Sequence, residues 1–135
     1  MKEQLLLTGG TGFFGRALLR YHLARRDEDR VPIVVVSREP ERFQAAYPEL
    51  SACDGLSFHK GDIQNRASLP WAESFSHVLH AATDSTLGPS LSPLQRFQQI
   101  VEGTTNILDL TVATGARRFL LTSSGGIYGP QPSDL

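Results

Sequence analysis

One stretch near the amino terminus constrains the fold of this chain more than any other. Residues 5–7 are three consecutive leucines, and three glycines, Gly9, Gly12 and Gly15, follow at a spacing of three. An amphipathic stretch over residues 16–26 comes next, so the order predicts a strand, a tight turn and a helix. A helix that begins at such a turn presents N–H groups and its positive dipole end to an anion. The stretch therefore predicts a turn that binds pyrophosphate.

Each of the three glycines has its own steric role in such a turn. Gly9 makes the turn, Gly12 lets a phosphate approach the backbone because it lacks a Cβ, and Gly15 lets the helix pack closely on the strand. Because residue 10 is also glycine, the stretch fits both Gly-x-Gly-x-x-Gly and Gly-x-x-Gly-x-x-Gly. The alternative is a glycine-rich hairpin, which is disfavoured because no second alternating strand follows.

Length and charge exclude several classes of protein. A chain of 135 residues suits one domain, which we take to span residues 1–135. Its composition, 40% hydrophobic and 20% charged, is that of an ordinary globular domain rather than a disordered one. The net charge of −1 leaves no broad basic surface, so nucleic acid is not an expected partner.

Cysteine and histidine usage bears on the compartment and on metals. The lone cysteine, Cys53, cannot form an internal disulfide, which favours a cytoplasmic protein. We expect no bound metal and a structural role for the four histidines, since no pair stands at ligand spacing: His22, His59, His77 and His80. We also expect no membrane segment, because no run approaches about 20 apolar residues.

Apolar runs and helical patterns alternate along the chain. We predict strands over residues 5–7, 32–36, 56–59, 77–82 and 117–124. We predict helices over residues 16–26, 39–50, 93–114 and, as a short element, within 66–75. This alternation predicts an α/β fold, a doubly wound parallel sheet of about five strands with helices on both faces.

The long helix over residues 93–114 has the clearest ends. Ser92 is a typical N-cap, Pro93 takes the first helical position, and Gln95 completes a Ser-x-x-Gln capping box. Gly115 is placed to end the helix.

The polar and glycine-rich segments that follow the predicted strands should meet. A doubly wound sheet binds ligands outside the carboxyl ends of its strands, where the strand order reverses. These segments are the glycine turn, Ser37-Arg38, Asp62-Ile63, Ala81-Ala82-Thr83 and Ser123-Ser124. We therefore predict one crevice lined by five segments.

Together these motifs resemble the extended short-chain dehydrogenases, and specifically their NAD-dependent epimerase/dehydratase group, which modifies nucleotide sugars. The segments that carry the resemblance, in the family's order, are residues 8–15, 61–63, 80–82, 102–108 and 119–129. The resemblance implies a Rossmann-type fold, Asp62 and Ile63 against the adenine, Ala82 and Thr83 in the cofactor cleft, and Ser124 as the active-site hydroxyl. We expect cofactor contacts from Gly9, Thr11, Gly12, Phe13, Phe14, Gly15, Ser37, Arg38, Asp62, Ile63, Ala81, Ala82, Thr83 and Ser123.

The end of the second strand departs from the pattern of the NAD-binding members. Those members usually carry an acidic residue there, whereas this chain has Ser37 followed by Arg38. A hydroxyl and a guanidinium can bind a 2′-phosphate, which a carboxylate would repel. The sequence therefore favours NADP and leaves NAD open, the alternative being an ordinary solvated arginine.

Two further departures concern catalysis. Ile100 stands where the family often has an asparagine, and the family's Tyr-x-x-x-Lys pair is expected beyond the serine, past Leu135. Tyr128 is not that tyrosine, because Pro132 stands four residues on. Ser124 alone lacks the group that would take a proton. We therefore expect the N-terminal cofactor-binding part of a larger enzyme, truncated before its catalytic helix and inactive alone, with residues 119–121 as an exposed apolar edge.

These expectations leave more than one function open. The first is the NAD(P)-binding part of an oxidoreductase, epimerase or dehydratase that acts by hydride transfer on a nucleotide sugar or similar hydroxyl substrate. Its alternative is a non-catalytic NADP-binding sensor or regulatory module, and the form of the glycine turn disfavours a methyltransferase. The sequence does not choose between epimerase, dehydratase and reductase, although NADP slightly favours reduction. We also expect substrate near Asp84 and Ser85, and a homodimer through the 93–114 helix is a further hypothesis.

Overall fold

Five strands pair side by side in the computed structural model, which describes residues 3–83, 90–130 and 132–133. The strands are β1 (Leu5–Thr8), β2 (Ile33–Ser37), β3 (Leu56–Lys60), β4 (His77–His80) and β5 (Arg118–Leu121). The helices are α1 (Phe13–Leu23), α2 (Pro40–Ala46), α3 (Pro48–Ser51) and α4 (Pro93–Ala113). The strands lie in the order β3-β2-β1-β4-β5, and every neighbouring pair is parallel. From β1 the chain adds β2 and β3 on one side and then returns to add β4 and β5 on the other, so the strand order reverses at β1. A doubly wound sheet has this reversal.

Two apolar clusters, one on each face of the sheet, hold the layers together. The cluster on the α4 face buries Leu6, Val34, Val36, Leu69, Phe75, Val78, Ile107 and Leu110. The cluster on the face of α1, α2 and α3 buries Leu7, Leu19, Ile33, Val35, Phe43 and Leu50. Consecutive residues of β1 and β2 alternate between the clusters because side chains of a strand point to opposite faces. Helices on both faces confirm the predicted fold class.

Helix α4 begins and ends where its sequence predicts. The Ser92 hydroxyl accepts the Gln95 N–H at 3.2 Å, and the Gln95 side chain accepts the Ser92 N–H at 2.9 Å. These two bonds are the predicted capping box. At the other end Gly115 has φ +76°, and Ala116 donates to the Thr111 carbonyl at 3.1 Å. Glycine suits this left-handed position, which closes the helix in a Schellman turn.

The single helix predicted over residues 39–50 is wrong. The chain forms α2 and α3 with a break at Tyr47, which has φ −135° and ψ 62°. The break follows from Pro48, because a proline disfavours the helical conformation of the residue before it. Between β3 and β4 the short helix predicted within 66–75 is one 3-10 turn, Arg66–Ser68. It ends at Leu69 for the same reason, since Pro70 follows.

Three other predicted boundaries shift, and the shifts matter for the site. Helix α1 begins at Phe13, three residues earlier than predicted, so its first turn contains the end of the glycine motif. Strand β1 ends at Thr8, which pairs with His80, so β4 has no further partner on that side and ends there. Among the described strands β5 pairs only with β4, and it therefore ends at Leu121, the partner of His80. Residues 81–83 and 122–124 consequently leave the sheet as loops.

The edge strand β5 is exposed in part. Leu120 and Leu121 are exposed, as expected for an uncovered edge, whereas Phe119 packs against the cluster on the α4 face. The expectation of an exposed apolar edge is thus confirmed for the two leucines and wrong for Phe119. None of the helices in the described part of the chain has the length and apolarity needed to cross a membrane.

A buried polar network joins β1, β4 and α4. Thr8 and His80 lie in the sheet interior, and the Thr8 Oγ1 is 2.6 Å from the His80 Nδ1. The His80 Nε2 is 3.3 Å from the Oγ1 of Thr104 on α4. Burial lowers the pKa of His80, because the charged imidazolium loses its hydration there. The network therefore holds a neutral imidazole.

We expect the free energy of unfolding to fall as the pH drops below about 6.5, where an unfolded histidine begins to bind a proton. The unfolded chain protonates residue 80 at a higher pH than the folded chain does. The contribution of the neutral His80 to the free energy of unfolding is therefore fully present above the pKa of the unfolded chain and is lost as the pH falls toward the lower pKa of the folded chain. In urea unfolding from about pH 7.5 to about pH 5, we expect His80→Asn to show a weaker pH dependence than the wild type.

His22→Asn is the comparator for this measurement. Burial, followed by the charges of Arg30 and Arg25, also lowers the pKa of His22, so both histidines contribute with the same sign. Curves of stability against pH that run parallel for the wild type and His80→Asn would contradict the prediction.

Candidate functional site

The glycine turn lies in backbone contact with the chain that leaves β4. Gly9 has φ +75°, which favours glycine, and the Gly12 N–H donates to its carbonyl at 3.0 Å. A Cβ on Gly9 would lie 2.5 Å from the carbonyl carbon and oxygen of Ala81. A Cβ on Gly15 would lie 2.2 Å from the Gly9 carbonyl oxygen and 2.4 Å from the Gly10 Cα. The turn therefore tolerates no side chain at either position.

The N-terminus of α1 opens toward the carboxyl ends of the strands. Gly12 is the N-cap residue, with no side-chain cap and no acidic residue in the first turn. The first N–H groups of a helix have no acceptor within it, and the helix dipole makes this end positive. A Cβ on Gly12 would meet one atom, the Gly9 carbonyl oxygen at 3.3 Å, so the space outside it is open. Beside it Phe13 and Phe14 are exposed, with their rings edge to face at 5.4 Å.

The segment after β2 brings a hydroxyl and a guanidinium to the same edge. Ser37 is half-buried, and its Oγ accepts the Glu39 N–H at 3.3 Å. Arg38 is exposed. The carboxylate of Glu39 lies 3.4 Å from the Arg42 guanidinium, on the first turn of α2.

The segment after β3 is fixed by hydrogen bonds that its sequence does not indicate. The Asp62 carboxylate accepts the Gln64 N–H at 2.9 Å, and the Asp62 N–H donates to the Ser68 hydroxyl at 2.9 Å. The Ile63 carbonyl accepts from the Asn106 side chain at 2.8 Å. The tight fit of Ile63 against α4 depends on Gly103, where a Cβ would lie 2.7 Å from the Ile63 Cδ1.

The segment after β4 is held by β1. The Ala81 N–H donates to the Thr8 carbonyl at 3.2 Å, and the Ala82 N–H donates to the Thr8 Oγ1, also at 3.2 Å. Thr83 is exposed. Asp84 and Ser85, which the sequence analysis placed near the substrate, lie outside the described residues.

The segment after β5 turns into a short 3-10 helix, Gly125–Tyr128. The Thr122 N–H donates to the His80 carbonyl at 3.0 Å, which ties this segment to β4. Ser123 and Ser124 are both exposed. The Ser124 hydroxyl accepts the Gly126 N–H at 3.1 Å, and its own hydrogen can still donate to another acceptor.

These five segments together form what we call the carboxyl-edge crevice: residues 9–15, 37–38, 62–63, 81–83 and 123–124. All five follow a strand of the one parallel sheet, so they share its carboxyl edge. Within residues 3–83, 90–130 and 132–133, no group of three His, Cys, Asp or Glu side chains could hold a metal ion. The arrangement suits a long ligand whose anionic middle meets the N-terminus of α1.

Sequence reasoning missed the roles of Thr8 and His80. His80 was assigned a structural role only in general terms, while its two partners stand 72 and 24 residues away in the sequence. One feature could have indicated the network, namely a polar side chain at the last position of two apolar strands. That position abuts the crevice.

A comparison with protein families matches residues 5–134 to the NAD dependent epimerase/dehydratase family. The UDP-glucose 4-epimerase of Streptomyces lividans is 31% identical over 134 residues, covering 96% of this chain and 38% of its own length. Cinnamoyl-CoA reductase 1 of Oryza sativa subsp. japonica is 32% identical over 135 residues, covering 98% of this chain and 37% of its own length.

Solved structures give the same result. The UDP-Glc/GlcNAc 4-epimerase of Campylobacter jejuni superposes with a TM-score of 0.78 at 26% identity, over 96% of this chain and 40% of that one. The UDP-glucose-4-epimerase of Stenotrophomonas maltophila, with bound NAD and formylated UDP-arabinopyranose, gives 0.72 at 25% identity, over 96% and 39%. This chain thus spans about two fifths of the length of these relatives. On the match over residues 5–134 and the fold it shares, the chain belongs to the NAD-dependent epimerase/dehydratase family.

Proposed function

We propose that the chain binds a nicotinamide dinucleotide in the carboxyl-edge crevice, as the cofactor-binding part of an enzyme. That enzyme is an oxidoreductase, epimerase or dehydratase that acts on a nucleotide sugar or a similar hydroxyl substrate. The observation that carries the proposal is the glycine turn, where Gly12 leaves open space before an uncapped helix N-terminus. A pyrophosphate suits the positive end of this helix, and a Cβ on Gly12 would enter the space that we propose for it.

The proposal assigns each segment of the crevice a part of the dinucleotide. The pyrophosphate meets residues 11–15, the adenine and its ribose meet Ser37, Arg38, Asp62 and Ile63, and the nicotinamide half meets Ala81, Ala82, Thr83 and Ser123. When bound, the dinucleotide supplies a carbon that accepts or donates a hydride. The relatives named above support this assignment, since one of them was solved with NAD.

Ser124 is our proposed catalytic residue. Its oxygen accepts the Gly126 N–H, and its own hydrogen, which rotates about the Cβ–Oγ bond, can donate to a substrate oxygen at the crevice. Such a bond holds and polarises a substrate hydroxyl or carbonyl but does not remove a proton from it. The nucleotide-sugar substrate rests on the names of the epimerase relatives.

We also propose NADP as the preferred form of the cofactor. Arg38 is exposed at the end of β2, where it can meet a 2′-phosphate with paired N–H donors, and no acidic residue precedes it on β2. One relative, cinnamoyl-CoA reductase 1, is named as a reductase, and reduction is the reaction type that a preference for NADP slightly favours.

A homodimer through α4 is a further part of the proposal. The outward face of this helix exposes apolar side chains at spacings of three, four and seven: Leu94, Phe97, Val101, Leu108 and Val112. A second copy of the chain fits this face, because a two-fold axis brings the same stripe from both copies into contact.

We expect Gly12→Ala to weaken NAD binding by about tenfold or more, because its methyl group enters the space proposed for the pyrophosphate. The fold should survive, since that Cβ meets a single atom at 3.3 Å. Calorimetric titration with NAD measures the first effect, and thermal unfolding the second.

Gly15→Ala is the contrasting variant for the stability measurement only, because residue 15 itself belongs to the crevice. Its Cβ would overlap the backbone of the turn, so we expect a loss of about 1–3 kcal/mol in the free energy of unfolding. Equal NAD affinity in the wild type and Gly12→Ala would contradict the pyrophosphate assignment.

We expect Arg38→Ala to remove a preference for NADPH over NADH of about tenfold, equivalent to about 1.4 kcal/mol. Titrations of the wild type and the variant with both nucleotides measure it, with Arg20→Ala as the control, because Arg20 is an exposed arginine in the last turn of α1. If the wild type binds NADH as tightly as NADPH, the NADP proposal fails and a redox-neutral epimerase or dehydratase is favoured.

A further inference from the structure

We propose that His80 is a positioning residue which, through Thr8, fixes the backbone of Ala81 and Ala82 against the glycine turn and so sets the shape of the nucleotide crevice. The identity of the ligand in that crevice rests on the function proposed above. The hydrogen-bond network itself does not depend on it.

Hydrogen bonds through the Thr8 hydroxyl link the imidazole to the crevice, and a bond from the Thr8 carbonyl holds the neighbouring residue independently. The His80 Nδ1 lies 2.6 Å from the Thr8 Oγ1, and that oxygen accepts the Ala82 N–H at 3.2 Å. The Thr8 carbonyl accepts the Ala81 N–H at 3.2 Å. The Ala81 carbonyl in turn touches the turn at Gly9, where a Cβ would approach to 2.5 Å. The Ala82 nitrogen, which the Thr8 hydroxyl holds, also lies against the turn, 2.7 Å from the place of a Cβ on Gly9, so a shift of that hydroxyl would move the wall of the crevice opposite the glycines.

The hydrogen bonds fix which ring nitrogen carries the proton. The Thr8 oxygen accepts from Ala82, and its own hydrogen, in a fully buried site, needs an acceptor. The Nδ1 is that acceptor, so the imidazole proton lies on Nε2 and is donated to Thr104. The side chains that contact the ring from β1, α4 and β5 are Thr8, Thr104 and Phe119, all uncharged.

The two bonds of the imidazole consequently have different tasks. The bond to Thr104 holds the ring on α4, whereas the bond to Thr8 orients the hydroxyl that holds Ala82. Removing the Nδ1 acceptor leaves the Thr8 hydrogen unpaired in the interior, which is costly, so the hydroxyl rotates away from Ala82.

Asparagine and glutamine at position 80 separate these tasks. The Asn oxygen reaches the place of Nδ1 and can accept from Thr8, while the Gln amide reaches the place of Nε2 and can donate to Thr104. Thr104→Val is the matched control, because it removes a hydroxyl partner of His80 that has no bond to Ala82.

The test combines NAD titration with amide hydrogen exchange of Ala82, both at a pH of about 7.5, where His80 is neutral. We expect His80→Gln to bind NAD about tenfold more weakly and to exchange the Ala82 amide faster. We expect His80→Asn and Thr104→Val to stay within about threefold of the wild type in affinity, whatever their thermal stability.

Equal losses of affinity in His80→Asn and His80→Gln, or unchanged affinity and exchange in His80→Gln, would overturn the proposal. If the wild type binds neither NAD nor NADP, the proposed function is wrong, and the exchange of the Ala82 amide alone decides whether His80 positions this segment. The two failures are thereby distinguishable.

Discussion

The structure depends on contacts between backbone and backbone that only glycine permits. At Gly9 the turn meets the carbonyl of Ala81, and at Gly15 the helix meets the turn itself. Any side chain at these points would push α1 off the sheet or push β4 away from β1. The same closeness leaves the N-terminus of α1 uncapped by a side chain and aimed at the carboxyl ends of the strands. Packing and the anion binding that we propose thus have one cause.

Because all five strands are parallel, the loops that carry the candidate site residues lie at that same edge of the sheet. Each strand delivers its last residue and the following loop to one edge of the sheet, so four segments that begin 28 to 114 residues after Gly9 share the edge that holds the glycine turn. The helices fix these loops from outside, as α4 does through Gly103 and Asn106 at Ile63. The crevice is therefore built on rigid elements, and its lining residues can differ without a change of fold.

Local features of the fold could be predicted from the sequence, because their causes lie within a few residues. The glycine turn and the capping box of α4 depend on neighbours in the chain, and so does the break at Tyr47, because Pro48 follows it directly. The ends of β4 and β5 could not be predicted, because they depend on where β1 ends. The network of Thr8, His80 and Thr104 was beyond sequence reasoning for the same reason, since its partners meet only in the folded sheet.

The central claim is that a nicotinamide dinucleotide occupies the carboxyl-edge crevice. Amide chemical shifts in an NMR titration with NAD test it most directly, because they report every segment at once. The account predicts shifts concentrated in residues 9–15, 37–38, 62–63, 81–83 and 123–124, while Gly55 and Gly115, which precede β3 and β5 at the opposite edge, stay unmoved. Shifts concentrated outside those segments, or none with either NAD or NADP at saturation, would contradict it.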